Sequence, residues 1–216
     1  ILGKRTKSFF IVIQLQMIMP LIMQEANALN SALQAFKRSQ PVGDGIGPMV
    51  VGKLMLDKEK KPIARDTVFS ESEYNERTLY LLKAEGPGGN VGEPGKAIEK
   101  MVGEMDLGIN TIIMVDAALK LEGEKTGSIA EGIGAAIGGI GVDRFKIEEA
   151  ALKSNIPLYA VVIKQSLMEA ISVMKKEIAE TTDDVIEVVK HTIDEKTKIG
   201  DKVLLVGVGN TVGVSQ

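Results

Sequence analysis

The chain has 216 residues, enough for one domain or one domain with an appendage, and 44% of them are hydrophobic. A net charge of −3 and an aromatic content of 4% provide neither a basic field for a phosphodiester backbone nor stacking platforms for bases, so no nucleic-acid partner is expected. Without Cys there is no disulfide framework and no thiolate zinc site, and a reducing cytoplasm is the expected compartment.

In chain order, the first element is the most apolar run, Phe9 to Met23. At about 15 residues it is short of the ~20 that a bilayer span requires, and it carries Gln14, Gln16 and Pro20. It is therefore expected to be a buried helix. The helical pattern continues to residue 39, straight or kinked at Pro20, with Ala26, Leu29, Leu33 and Phe36 on one stripe. Gln40-Pro41 ends it. Residues 1–40 thus read as an amino-terminal helical arm, packed on the sheet or on a partner chain, and 41–216 as a single α/β domain.

Within that domain, Met49–Leu56 and Thr67–Ser70 are expected to be strands of a hairpin, and Arg77–Ala84 a third strand. The pattern then alternates. Lys96–Glu104 reads as a helix, Thr111–Val115 as a strand apolar on both faces, and Ser128–Ile137 as a small-residue helix. Phe145–Lys153 is a helix, Pro157–Ile163 a strand, Gln165–Ile178 and Asp183–Asp194 helices, and Lys202–Val208 a last buried strand. Such alternation predicts βαβ units, hence a mainly parallel sheet with helices on both faces.

Glycine is concentrated in four clusters: Pro41–Pro48, Gly86–Gly95, Gly127–Gly141 and Gly207–Gly213. Glycine lets a ligand or another backbone approach closely, and glycine-rich turns after strands are how α/β proteins build phosphate sites. The second cluster follows a strand and precedes a helix. It is not a P-loop, because Asn90 stands where that motif needs its first glycine and Ala97 where it needs a hydroxyl. Gly43-Asp-Gly-Ile-Gly-Pro48 looks like a stretch of the isopropylmalate and isocitrate dehydrogenase family. That match covers only these residues and lacks the accompanying arginines and paired aspartates.

Asp116 ends a buried strand, where open α/β sheets place ligand-binding residues. Asp116, Glu122 and Glu124 are candidate oxygen ligands for magnesium. Ser128 and Glu131 have capping-box spacing. The one His, His191, reads as an exposed helix residue.

Together, Pro41–Pro48, the Gly86–Gly95 loop and Leu119–Gly134 resemble an uncharacterised archaeal family recognised as a domain of unknown function. Its longer members carry an apolar amino-terminal segment. The resemblance implies an archaeal source and, for the full-length protein, membrane proximity through an amino-terminal segment missing or truncated here. It implies no activity and no catalytic residues.

The expected site is a cleft where loops 86–95, 116–128 and 207–213 meet, because parallel strands gather their carboxyl ends on one edge. Its ligand-binding candidates are Gly88, Gly89, Asn90, Gly92, Lys96, Asp116, Lys125, Gly127, Ser128, Gly207, Gly209 and Asn210, with Lys96 and Lys125 supplying positive charge. The loop of Asp44 is an optional fourth wall. Three functions stay open: a binding or regulatory domain for a phosphorylated small molecule or nucleotide, a magnesium-dependent enzyme acting on such a ligand, and an oligomeric scaffold. Apolar surface on helix 9–39 and on the small-residue face 132–141 predicts a homo-oligomer.

Overall fold

The computed structural model describes residues 9–137 and 142–215. The elements are helix α1 (Phe9–Arg38), a 3₁₀ turn at Gly43–Gly45, α2 (Ile46–Leu54), β1 (Lys61–Ala64), β2 (Thr67–Tyr74) and β3 (Arg77–Ala84). Next come α3 (Pro94–Glu99, continued by a π-helical turn at Lys100–Glu104), β4 (Thr111–Leu119), β5 (Ile129–Ile133), α4 (Val142–Lys153) and β6 (Leu158–Gln165). The chain finishes with α5 (Leu167–Ile171), α6 (Lys176–Ala179), α7 (Thr182–Lys196) and β7 (Lys202–Gly207).

Seven strands form one sheet in the order β1-β2-β3-β7-β4-β6-β5. The four strands expected from apolar runs are neighbours, and β3–β7, β7–β4 and β4–β6 all pair parallel. β1, β2 and β5 pair antiparallel. The sheet is therefore mixed, not mainly parallel. For β2 and β3 the cause is local: Asn75 and Glu76, both at positive φ, join them by a two-residue hairpin turn.

Helices cover both faces. On one, α2 and α7 bring Ile46, Val50, Val51, Val185, Val189 and Ile193 onto Leu79, Leu81, Ile113, Val203 and Leu205. On the other, α3 and α4 bring Ala97, Ile98, Met101, Ile147 and Ala151 onto Leu82, Ile112, Met114, Leu204 and Val206. Helix α2 rests directly on β7: a β-carbon on Gly207 would lie 2.5 Å from the carbonyl oxygen of Gly47.

Several element assignments differ from expectation. Residues 46–54 form helix α2 rather than a strand from Met49, since Ile46, Val50 and Val51 share a buried helical face. A short apolar run has no period that separates strand from helix. Ser128–Ile137 is not a helix but contains β5, the antiparallel edge strand on β6, and its glycines disfavour a helix. Within the same glycine-rich stretch, Gly138, Gly139 and Gly141 lie outside the described residues. The capping box expected at Ser128 occurs instead at Ser166 and Glu169, opening α5, while Gln165–Ile178 is divided between α5 and α6.

The arm also differs from expectation. Helix α1 packs through small residues, Ala28 and Ala35, with Val173 N–H donating to Ser31 Oγ at 3.1 Å. The expected apolar stripe of Leu29, Leu33 and Phe36 is exposed, and so is the Phe9–Met23 run expected to be buried.

Candidate functional site

Outside the carboxyl ends of β7 and β4 lies a cleft of about 310 Å³. Strand order brings these ends together: β4 is reached from β3 over one face of the sheet, and β7 from β6 over the other. Such a switch point leaves a crevice between neighbouring carboxyl ends. Four segments line it: Asp44 from the 3₁₀ turn, Val91, Gly92 and Pro94 after β3, Asp116 and Ala117 on β4, and Val208 and Gly209 after β7. Ile137, together with Asp143 in the first turn of α4, closes the remaining side.

Asp44 sits between two buried glycines and accepts the backbone N–H of Asn210 at 2.8 Å. Burial raises its carboxyl above the usual range, and the Asn210 N–H partly opposes that rise. Gly209, at φ +135°, permits this approach, because a β-carbon there would overlap the Asp44 carbonyl oxygen. Asp116 is buried, and its Oδ1 accepts the N–H of Ala117 at 2.7 Å. Asp143 Oδ1 stands over Gly95, 3.1 Å from where a β-carbon would be. The cleft thus presents carboxylates and close backbone, and no Lys or Arg is among its described lining residues.

Of the sequence candidates, Gly92, Asp116 and Gly209 line this cleft. Several others build its rim. Gly89 O accepts from Asn210 Nδ2 at 3.1 Å, and Asn90 O accepts from the N–H of Thr211 at 3.0 Å. Gly207 lies beneath α2 and Gly88 is exposed beside Asn90. The loop 120–128 packs instead on the α5–α6 segment, where Thr126 Oγ1 donates to Glu169 at 2.9 Å. Gly127 donates to Lys164 O at 2.8 Å and packs on Glu177 and Thr181, while Ser128 Oγ donates to Lys125 O at 2.8 Å.

The two expected cations are not in the cleft lining: Lys96 pairs with Glu93 at 2.8 Å and Lys125 is exposed. Glu122 is exposed, and Glu124 accepts from the Leu121 N–H and pairs with Lys164, so neither joins Asp116. Among the described residues no set of three His, Cys, Asp or Glu is arranged to hold a metal ion. His191 is exposed on α7, 3.4 Å from Glu195.

Sequence reasoning missed Asp143 and gave Asp44 only an optional place. The available signal for Asp44 was its position between two glycines before an apolar run. For Asp143 it was an acid opening a helix.

Two other polar clusters lie outside the cleft. Glu169 is buried and accepts from Lys175 (2.7 Å), the Ser166 N–H (2.7 Å) and Thr126 (2.9 Å). Burial alone would raise its carboxyl, but these hydrogen bonds outweigh it and hold the group at about 2. Lys83, under α2, is 1% exposed and donates to Ala84 O. Burial, with a smaller contribution from Lys60, lowers its amine to about 8.

Comparison with curated proteins finds no match. Residues 1–39 match the family described as protein of unknown function (DUF1512), N-terminal domain. Residues 42–215 match its companion, domain of unknown function (DUF1512), C-terminal. The arm and the α/β domain that carries the cleft are thus both covered, and the chain belongs to the DUF1512 family.

Proposed function

We propose that the domain binds a phosphorylated small molecule or nucleotide in the cleft between β7 and β4. The observation that carries this reading is convergence: the first, second and fourth glycine-rich segments meet the carboxyl end of β4 around one crevice at the switch point. Asp44 and Asp116 are suited to accept ligand hydroxyls, as an acidic residue does for a ribose. The phosphate end then faces solvent or arrives with its own magnesium, because the described lining carries Asp44, Asp116 and Asp143 and no cation. This replaces the expectation that Lys96 and Lys125 neutralise it.

A second reading, a magnesium-dependent enzyme, is favoured by one feature. Asp44 and Asp116 line the same cleft in different environments, and the raised carboxyl of Asp44 is suited to proton transfer. A thermal-shift screen with adenine nucleotides and sugar phosphates, each with and without magnesium, tests both readings. A bound ligand at a hundred times its Kd stabilises by about 2.7 kcal/mol. Stabilisation without magnesium supports the binding domain. Stabilisation only with magnesium, accompanied by turnover that Asp116→Asn abolishes, supports the enzyme. No shift with any compound overturns both.

A further inference from the structure

We infer that the apolar half of α1 is embedded in a lipid bilayer. A helix that packs on one partner is apolar along a stripe, whereas one surrounded by hydrocarbon is apolar all round. At 100° per residue, Phe10, Met17 and Leu21 lie along one line of α1 and Val12, Met19 and Met23 along the opposite line. All six are exposed, Phe10 by 78% and Met17 by 72%. The helix is long and apolar enough to cross a membrane, and none of its most apolar stretch is buried.

No charged residue occurs between Lys7 and Glu25. Within α1 its uncharged part, Phe9 to Gln24, is about 24 Å long at 1.5 Å per residue, most of the ~30 Å hydrocarbon core, and Gln14, Gln16 and Pro20 are its interruptions. Lys4, Arg5 and Lys7 precede it, a basic flank suited to anionic headgroups.

The second half of the same helix rules against a detachable leader. Ala28 and Ala35 are buried against the domain, Ser31 Oγ accepts the Val173 N–H, and Phe36 Cε1 lies 3.4 Å from the β-carbon position of Gly89. Phe36 therefore meets the loop after β3 and Ser31 the segment after β6, so the helix lies across the edge where the cleft opens. The anchor is continuous with a helix end that packs on loops at the carboxyl edge of the sheet, and the domain is held at the bilayer by that edge.

The test is flotation of the purified chain with vesicles of phosphatidylcholine alone and of phosphatidylcholine with phosphatidylglycerol. The chain is expected to float with both and to stay bound in 1 M salt and in alkaline carbonate. Leu15→Arg with Ile18→Arg, both at exposed positions, lowers the bound-to-free ratio roughly a hundredfold or more and leaves the melting temperature unchanged. Release by salt, or flotation with anionic vesicles alone, overturns insertion in favour of surface adsorption. Failure to float, with a dimer in sedimentation that the arginines dissociate, overturns it in favour of a second copy. Failure to float as a monomer overturns it outright. None of these outcomes depends on a ligand in the cleft.

Discussion

The backbone N–H of Asn210 donates to the carboxylate of Asp44 at 2.8 Å, across a sequence separation of 166 residues. The side chain of the same Asn210 donates to Gly89 O and accepts the N–H of Val212. One residue of the last glycine cluster thus holds the carboxylate of the first and the backbone of the second. Phe36 of α1, though largely exposed, has its ring edge beside Gly89, so the arm reaches the same joint.

Asn210→Ala removes both side-chain hydrogen bonds and keeps the one to Asp44. At about 1 kcal/mol each, the loss of stability is expected to be about 2 kcal/mol. Urea denaturation measures it. A change within experimental error would mean that the joint does not hold the loops together.

Asp44→Asn is expected to stabilise the fold near neutral pH while weakening any ligand that uses the carboxylate. The native carboxyl titrates above its ordinary value of 3.8, so the folded state binds more protons than the unfolded state in that window. Its contribution falls as pH rises through the raised value. The gain from Asn should appear above that value and vanish below about pH 3.8. Melting curves of the two proteins from pH 3 to 7.5 show it, and a gain independent of pH would contradict the assignment.

Glu169→Gln should cost about 2 kcal/mol or more, since the group accepts charge-assisted hydrogen bonds in a buried position. Its native carboxyl is held at about 2 against an unperturbed 4.5. The depressed value means that its stabilisation is complete above pH 4.5 and is lost as pH falls toward 2. The variant should therefore lack that part of the acid sensitivity, as read by circular dichroism across acid titration.

Lys83→Met should be more stable than the parent at pH 7. The native amine titrates at about 8 and the unfolded one near 10.5, so below pH 8 the fold carries a buried charge with no ion pair among the described residues. Between about pH 8 and 10.5 the unfolded state binds more protons, and the parent gains stability with rising pH. The melting temperatures should converge over that range. A constant gap would show that the amine is not titrating there.

Among the elements, β3, β4, β6 and β7 were legible as strands because their apolar runs, Val- and Ile-rich in β4 and β6, Val- and Leu-rich in β7 and Leu-rich in β3, are of strand length. Helix α2 and strand β5 were not. The run around Pro48–Val51 is too short to display a period, and Ile129–Ile133 owes its extended form to β6 beside it. In the site, Gly92, Asp116 and Gly209 could be named because they lie in the loops that leave β3 and β7 and in the carboxyl-terminal half of β4.

By itself, then, the sequence determined where the buried strands lie and that glycine-rich turns leave their carboxyl ends, since both are written in local periodicity and local composition. Only the tertiary structure decided that β7 enters between β3 and β4, that Asp44 and Asp143 join Asp116 there, and that the loop of Lys125 packs on the α5–α6 segment instead. It also decided that Phe9–Met23 lies outside the core. These are long-range outcomes: strand order and burial depend on which apolar faces cover one another across the whole chain, and no window of neighbouring residues contains that competition.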